Sequence, residues 1–125
     1  RARIAETPRD TLLLIETAGG AMSPVSDDAT MLDLMAALGA PVLLVGGAYL
    51  GAISHTLTAL ACIRARGLAV AAVVVNEGLD AETEFEATFA ALCRLAGEAE
   101  LIPWRSGTAH ESAVRLARRI DAIPR

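Results

Sequence analysis

The sequence contains no lysine; its eleven basic residues are all arginine. The compact ammonium that commonly stabilises a transferring phosphoryl group is therefore missing from this chain. Aromatic residues are scarce, at 3%, whereas hydrophobic residues reach 54%. A core made from this chain must be aliphatic, which suits parallel sheets whose strands are covered on both faces. Surplus positive charge is lacking too. The formal net charge is -4, which excludes non-specific binding to nucleic acid. The two cysteines, Cys62 and Cys93, show no CxxC or Cys/His spacing, and each falls inside an expected helix. They read as small buried residues in a reducing, cytoplasmic setting. Gly, Pro or charge interrupts every apolar run before membrane-spanning length, and no stretch of this sequence reads as a signal peptide. The chain opens at Arg1 rather than Met and reads as a fragment or a processed chain. Its 125 residues fit one partial domain over residues 1–125, with no internal repeat.

What is present alternates in a regular beat. Thr11-Leu12-Leu13-Leu14-Ile15-Glu16 predicts a buried strand ending in a carboxylate, followed by a loop over Ala18 to Asp28. Thr30 opens a helix to about Leu38, stopped by Gly39. Pro41 to Gly46 predicts a second strand, with proline at its tolerated first position. A helix follows from about Ile53 to Arg66, ended by Gly67. Val70 to Val75 predicts a third strand. Asp80 is the expected N-cap of the next helix, with Thr83 and Glu84 in its first turn. Phe85, Phe89, Leu92 and Leu95 recur along that helix at helical spacing. Glu100-Leu101-Ile102 is a short strand running into Pro103-Trp104. Glu111 to Ile123 closes the chain as an amphipathic helix with Arg115, Arg118 and Arg119 on its wet side. Strands alternating with helices imply βαβ units, a parallel sheet and right-handed crossovers. All strand C-termini then share one edge, where open α/β sheets bind their ligands.

The chemistry-bearing residues fall at those strand ends. Glu16 at a strand tip can hold Mg2+ beside phosphates, since this hard ion takes one or two carboxylates plus phosphate oxygens. Thr17, Ala18 and Gly19 after it allow close backbone approach; the plain alternative is an ordinary turn. Gly51-Ala52-Ile53-Ser54 open a helix whose N–H groups and dipole suit an anion, or Gly51 and Ser54 simply cap it. His55 reads as packed and hydrogen-bonded rather than as a base. Asn76 can read a base edge, offering donors and an acceptor together, or it forms a turn. Pro103-Trp104 can wall a base pocket, or form a proline turn with a surface Trp.

Order and spacing add to these singly weak signals. Leu13-Leu14-Ile15-Glu16-Thr17-Ala18-Gly19-Gly20 resembles the V-E-G-A-G-G segment of the dethiobiotin synthetases. Ser23-Pro24-Val25-Ser26-Asp27 with Thr30-Met31-Leu32-Asp33-Leu34 is similar to that family's P-L-x-D and T-x-x-D stretch. Pro41 to Val45 with Leu50-Gly51-Ala52-Ile53-Ser54-His55-Thr56 resembles its P-V-I-L-V-V and L-G-C-I-N-H segments. Val73-Val74-Val75-Asn76-Glu77 resembles G-V-V-x-N-D, and Ile102-Pro103-Trp104 resembles I-P-W. The resemblance runs in order from about Leu12 to Trp104. It implies an α/β fold: a partial, three-layer P-loop NTPase-like parallel sheet with helices on both faces. It implies an ATP- and Mg2+-dependent carboligase, a homodimer that closes a ureido ring on 7,8-diaminopelargonate with CO2. It implies Glu16 on Mg2+ and Thr17, Ala18 and Gly19 along the phosphates. Asn76 and Glu77 would contact adenine, with Pro103, Trp104 and Arg105 closing the nucleotide pocket. Gly51, Ala52, Ile53 and Ser54 would receive the substrate carboxylate from the neighbouring subunit.

The sequence also departs from the family. Thr17 stands where the family usually has Gly, Ser54 replaces its Asn, and no Glu follows Trp104 where the family often has one. The phosphate-gripping G-x-x-x-x-G-K-S/T loop, its lysine and a second Mg2+-binding Asp are absent. A stretch of about a hundred residues is expected before Arg1, and this chain alone is expected to be inactive. The alternative is a non-catalytic nucleotide-sensing or dimerisation module of the same fold, as in phosphotransacetylase-type or cobyrinic-acid amide synthetase-like proteins. Without its neighbouring strand and helix, the sheet is expected to expose apolar edge and face.

Overall fold

Three aliphatic runs pair side by side in the computed structural model, which describes residues 6, 8, 11–78 and 84–123. They are β1 (Val42–Gly47), β2 (Val70–Asn76) and β3 (Leu101–Trp104), in the spatial order β1-β2-β3 and parallel throughout. Each crossover carries one helix: α2 (Ala52–Ala65) between β1 and β2, and α3 (Phe85–Leu95) between β2 and β3. Helix α1 (Met31–Leu38) precedes the sheet, and α4 (Ala109–Asp121) follows it after a single 3-10 turn over Ser106–Thr108.

The central strand explains the layering. Val73 and Val75 face one way and join Leu60 of α2 with Phe85 and Leu92 of α3. Ala72 and Val74 face the other way with Ile102, and Leu116 of α4 packs on them. Alternate residues of one strand thus feed two cores, as strand geometry requires. The result is three layers with helices on both faces, the parallel sheet that alternation implies in the partial P-loop NTPase-like arrangement that the family resemblance implies.

The segment Thr11–Glu16 corrects an expectation. It forms no strand; Leu12 and Leu14 are 63% and 71% exposed. A strand exists only while its backbone groups pair with a neighbour, and no sheet pairing reaches these residues. The chain between Ala18 and Asp28 is irregular as expected, tied by a bridge from Pro24 to Thr30. Cys93 is exposed rather than buried, while Cys62 is half-buried. Leu95 is 61% exposed, because Leu92 fills the inward position of α3. Glu84 is the N-cap of α3 rather than part of its first turn; Asp80 and Thr83 lie outside the described residues. Glu100 precedes β3, and α4 starts two residues earlier than the charge pattern implies. Val45 on β1 is 62% exposed, in line with the expected bare edge.

Arg119 is not merely a wet-side residue. The β1–β2 ladder slips between Val42 and Leu43, leaving Ala71 without a register partner. Ala71 is buried, and its carbonyl accepts a hydrogen bond from Arg119 Nε at 2.6 Å. A buried carbonyl left unpaired costs about 1–3 kcal/mol. Arg119→Ala is therefore expected to lower unfolding free energy by about that much, measured by chemical denaturation.

Asp33 anchors the other end. Its carboxylate accepts from the Thr30 N–H at 2.9 Å and the Thr30 hydroxyl at 2.8 Å, and it pairs with Arg66 just past α2. The Thr30 N–H foremost, then its hydroxyl and Arg66, hold this carboxyl below its ordinary value of 3.8. A depressed folded value means the stabilisation is present above the unfolded value and lost as pH falls through the folded one. The stability deficit of Asp33→Asn should be constant above about pH 5 and shrink below pH 4, as read from denaturation curves across that range.

Candidate functional site

The parallel register sets three residues abreast at the carboxyl edge of the sheet. Gly47 pairs with Asn76, and Asn76 pairs with Trp104. Neighbouring strands lie about 4.8 Å apart, so the row spans about 10 Å, the length of a nucleoside. A hollow of about 350 Å3 opens there, lined by Val45, Gly46, Gly47, Ala48, Tyr49, Asn76, Glu77 and Gly78.

The two glycines let neighbouring side chains close directly on the strand backbone at this edge. A Cβ on Gly46 would sit 2.5 Å from Thr56 Oγ1, so α2 packs directly on the strand backbone. A Cβ on Gly47 would lie about 3.0 Å from the Tyr49 ring. Tyr49 in turn hydrogen-bonds His55 Nδ1 at 3.2 Å, with the ring centroids 5.7 Å apart. His55 is exposed rather than packed, because it lies on the outer side of the first turn of α2.

Asn76 is exposed, and its Oδ1 accepts the Gly78 N–H at 3.2 Å. It therefore makes the turn that the plain reading allows and still leaves its NH2 group to donate. The Glu77 N–H donates to the Trp104 carbonyl at 2.9 Å, which fastens the tip of β2 to the tip of β3. Arg105 Nε donates to Glu77 Oε1 at 3.3 Å, and its Nη1 donates to Glu86. The same guanidinium lies over the Phe85 ring, 5.1 Å from its centroid. Pro103 and Trp104 adjoin the hollow without lining it. Trp104 packs toward the Ala72, Val74 and Ile102 face. The Pro103 carbonyl accepts a 2.5 Å bond from the buried hydroxyl of Ser112, which ties α4 to this corner.

The remaining expected residues stand apart from the hollow's lining. Glu16, Ala18 and Gly19 are exposed and Thr17 is half-buried. Gly19 adopts φ 80, and a Cβ there would meet Ser23 Oγ at 2.5 Å, so its own loop dictates glycine. Glu16 is a single carboxylate. Among the described residues no three His, Cys, Asp or Glu side chains converge as a metal site. The donor fits one ligand of a Mg2+ ion completed by phosphate and water, not a protein-built site. At the start of α2, Gly51 is the N-cap at φ 88 and Ser54 is exposed, but neither makes a side-chain cap. The Ala52 and Ile53 side chains turn inward, and the Ala52 N–H is taken by the Tyr49 carbonyl. The donors this helix start offers are the backbone N–H groups of Gly51, Ile53 and Ser54 and the Ser54 hydroxyl.

Sequence reading missed the Tyr49–His55 pair and the roles of Phe85 and Glu86. The partners of Arg105 lie 28 and 19 residues away, and no local pattern announces such pairs. Among the described residues no helix is long and apolar enough to cross a membrane.

The family model described as an AAA domain matches residues 2–111. The chain belongs to this family. Its similarity to ATP-dependent dethiobiotin synthetases supports the motif resemblance. It is 69% identical to the Caulobacter vibrioides enzyme over 70 residues, 56% of this chain and 32% of that protein. It is 45% identical to the Methylobacterium nodulans enzyme over 104 residues, 83% of this chain and 46% of that protein. The Anaeromyxobacter dehalogenans enzyme is 35% identical over 130 residues, covering 98% of this chain and 56% of that protein. The chain thus spans between about a third and just over half the length of these relatives.

Removing the Ser112 hydroxyl should loosen the Pro103-Trp104 corner of this AAA-domain chain. Ser112→Ala is expected to cost about 1 kcal/mol and to red-shift the emission of Trp104, the only tryptophan in the chain. An unchanged emission maximum would show that the corner holds without this bond.

Proposed function

We propose that the protein carrying this chain is a dethiobiotin synthetase: an ATP- and Mg2+-dependent carboligase of biotin biosynthesis. It closes a ureido ring on 7,8-diaminopelargonate with CO2, works as a homodimer and resides in the cytoplasm. The observation that carries this reading is the row of Gly47, Asn76 and Trp104 at the carboxyl edge of a parallel sheet. Open α/β sheets bind nucleotides at that edge, and the related synthetases are named as ATP-dependent.

In this reading Asn76 and Glu77 meet the base, and Pro103, Trp104 and Arg105 close that side of the pocket. Glu16 adds one oxygen ligand to Mg2+, with Thr17, Ala18 and Gly19 along the phosphates. The bound ion would screen phosphate charge, which is the chemistry it supplies. The N-terminus of α2, from Gly51 to Ser54, holds the substrate carboxylate of the neighbouring subunit through backbone N–H groups and the helix dipole. The chain has no lysine, so the cation for phosphoryl transfer comes from outside it. The departures at Thr17 and Ser54 leave room for one second reading: a non-catalytic nucleotide-sensing or dimerisation module.

Phosphate release in the presence of ATP, Mg2+, bicarbonate and 7,8-diaminopelargonate separates the two. The 125-residue chain alone should release none above background. The same chain joined to a phosphate-gripping half should release phosphate only when the diamine is present. In that protein Asn76→Ala should raise the KM for ATP about tenfold with little change in kcat. Nucleotide binding without diamine-dependent release would favour the sensing module.

A further inference from the structure

Arg66 closes the far end of α2 and has no part in the hollow. Its Nη2 donates to Asp33 Oδ1 at 2.5 Å, across 33 residues of sequence. The other oxygen of that carboxylate, Oδ2, accepts from the N–H and the hydroxyl of Thr30. One carboxylate thus fixes the first turn of α1 and joins it to α2. Apolar burial holds α1 only loosely: Leu32 is its one buried residue, and Leu34 is 40% exposed.

The same turn carries the loop that follows Glu16. The Met31 N–H donates to the Ser23 carbonyl and the Leu32 N–H to the Ala21 carbonyl, each at 2.8 Å. These are first-turn donors, which no carbonyl inside the helix can take. The Ser23 N–H donates in turn to the Gly20 carbonyl at 2.9 Å. Gly19 closes on the Ser23 side chain so tightly that a Cβ would meet its Oγ at 2.5 Å. A continuous run of contacts therefore leads from Arg66 through Asp33, the start of α1 and Ser23 to Gly19, three residues from Glu16.

We propose that Arg66 is a positioning residue: through Asp33 it holds the Glu16–Gly19 segment in place to meet the phosphates and Mg2+ of a bound nucleotide. The assignment rests on the nucleotide reading above and deepens it. Arg66 acts through Asp33 and not by its own charge. Helix α2 has 14 residues and is about 21 Å long, so Arg66 lies about two Debye lengths from the strand tips beside which that helix begins. Salt screens an exposed charge at that range.

Calorimetric binding to the chain joined to a phosphate-gripping half tests this, with Mg2+-ATP and adenosine as probes. Arg66→Ala should weaken Mg2+-ATP about threefold, the scale an exposed ion pair supports, and leave adenosine unchanged. Arg66→Lys should restore most of the loss. Hydrogen exchange on the same protein should show the Met31 and Leu32 amides opening about threefold faster in Arg66→Ala, with those of Val73 and Val75 unmoved. If Arg66→Ala does not fold, as judged by circular dichroism, Asp33→Asn weakens the same pair and should give the same pattern. Equal weakening of both probes, or an unchanged Mg2+-ATP affinity, would overturn the proposal while leaving the nucleotide reading intact. Faster exchange without loss of Mg2+-ATP affinity would overturn it as well. Failure of the unmodified protein to bind Mg2+-ATP would overturn both.

Discussion

The parallel ladder is the constraint on which the rest depends. Because β1, β2 and β3 run the same way in register, a residue at the end of one strand is placed beside residues at the ends of the others. Gly47, Asn76 and Trp104 are far apart in sequence and adjacent in space for that reason alone. Antiparallel pairing would scatter them between opposite edges of the sheet. Burial on both faces of β2 pays for the ladder: Ala72, Val73 and Val75 are fully buried, and each of the two valines contributes on the order of 1.5–3 kcal/mol.

The tips are then secured by short polar ties that the aliphatic core cannot supply. The Glu77 N–H on the Trp104 carbonyl joins β2 to β3, Ser112 joins α4 to Pro103, and Arg105 joins both strand tips to the start of α3. At the opposite edge Arg119 closes the carbonyl that the register slip at Ala71 leaves open. Apolar burial sets the register, and these bonds set where side chains at the edge can point.

Much of this was legible in the sequence, for local reasons. Thr30 and Gly39 bracket α1 as cap chemistry requires. The unbroken run Val70–Val75 becomes a strand because two covered faces demand apolar residues at every position, and the run Val42–Val45 pairs beside it as the edge. The strand-end motif Asn76-Glu77 and the corner Pro103-Trp104 came together because topology follows from alternation. Leu12–Ile15 has the same composition and forms no strand, since composition states a preference but pairing decides it. The Arg105 cluster was illegible because charge partners across 28 and 19 residues leave no periodic trace.

On the proposed reading, the strand tips that end abreast beside the hollow meet the base of a nucleotide. Amide chemical-shift mapping of the chain during titration with ATP tests this most directly. The account predicts shifts concentrated at Gly46–Gly47, Asn76–Gly78 and Trp104–Arg105. Shifts centred instead on Arg115 and Arg118 of α4, with the strand tips unmoved, would contradict it.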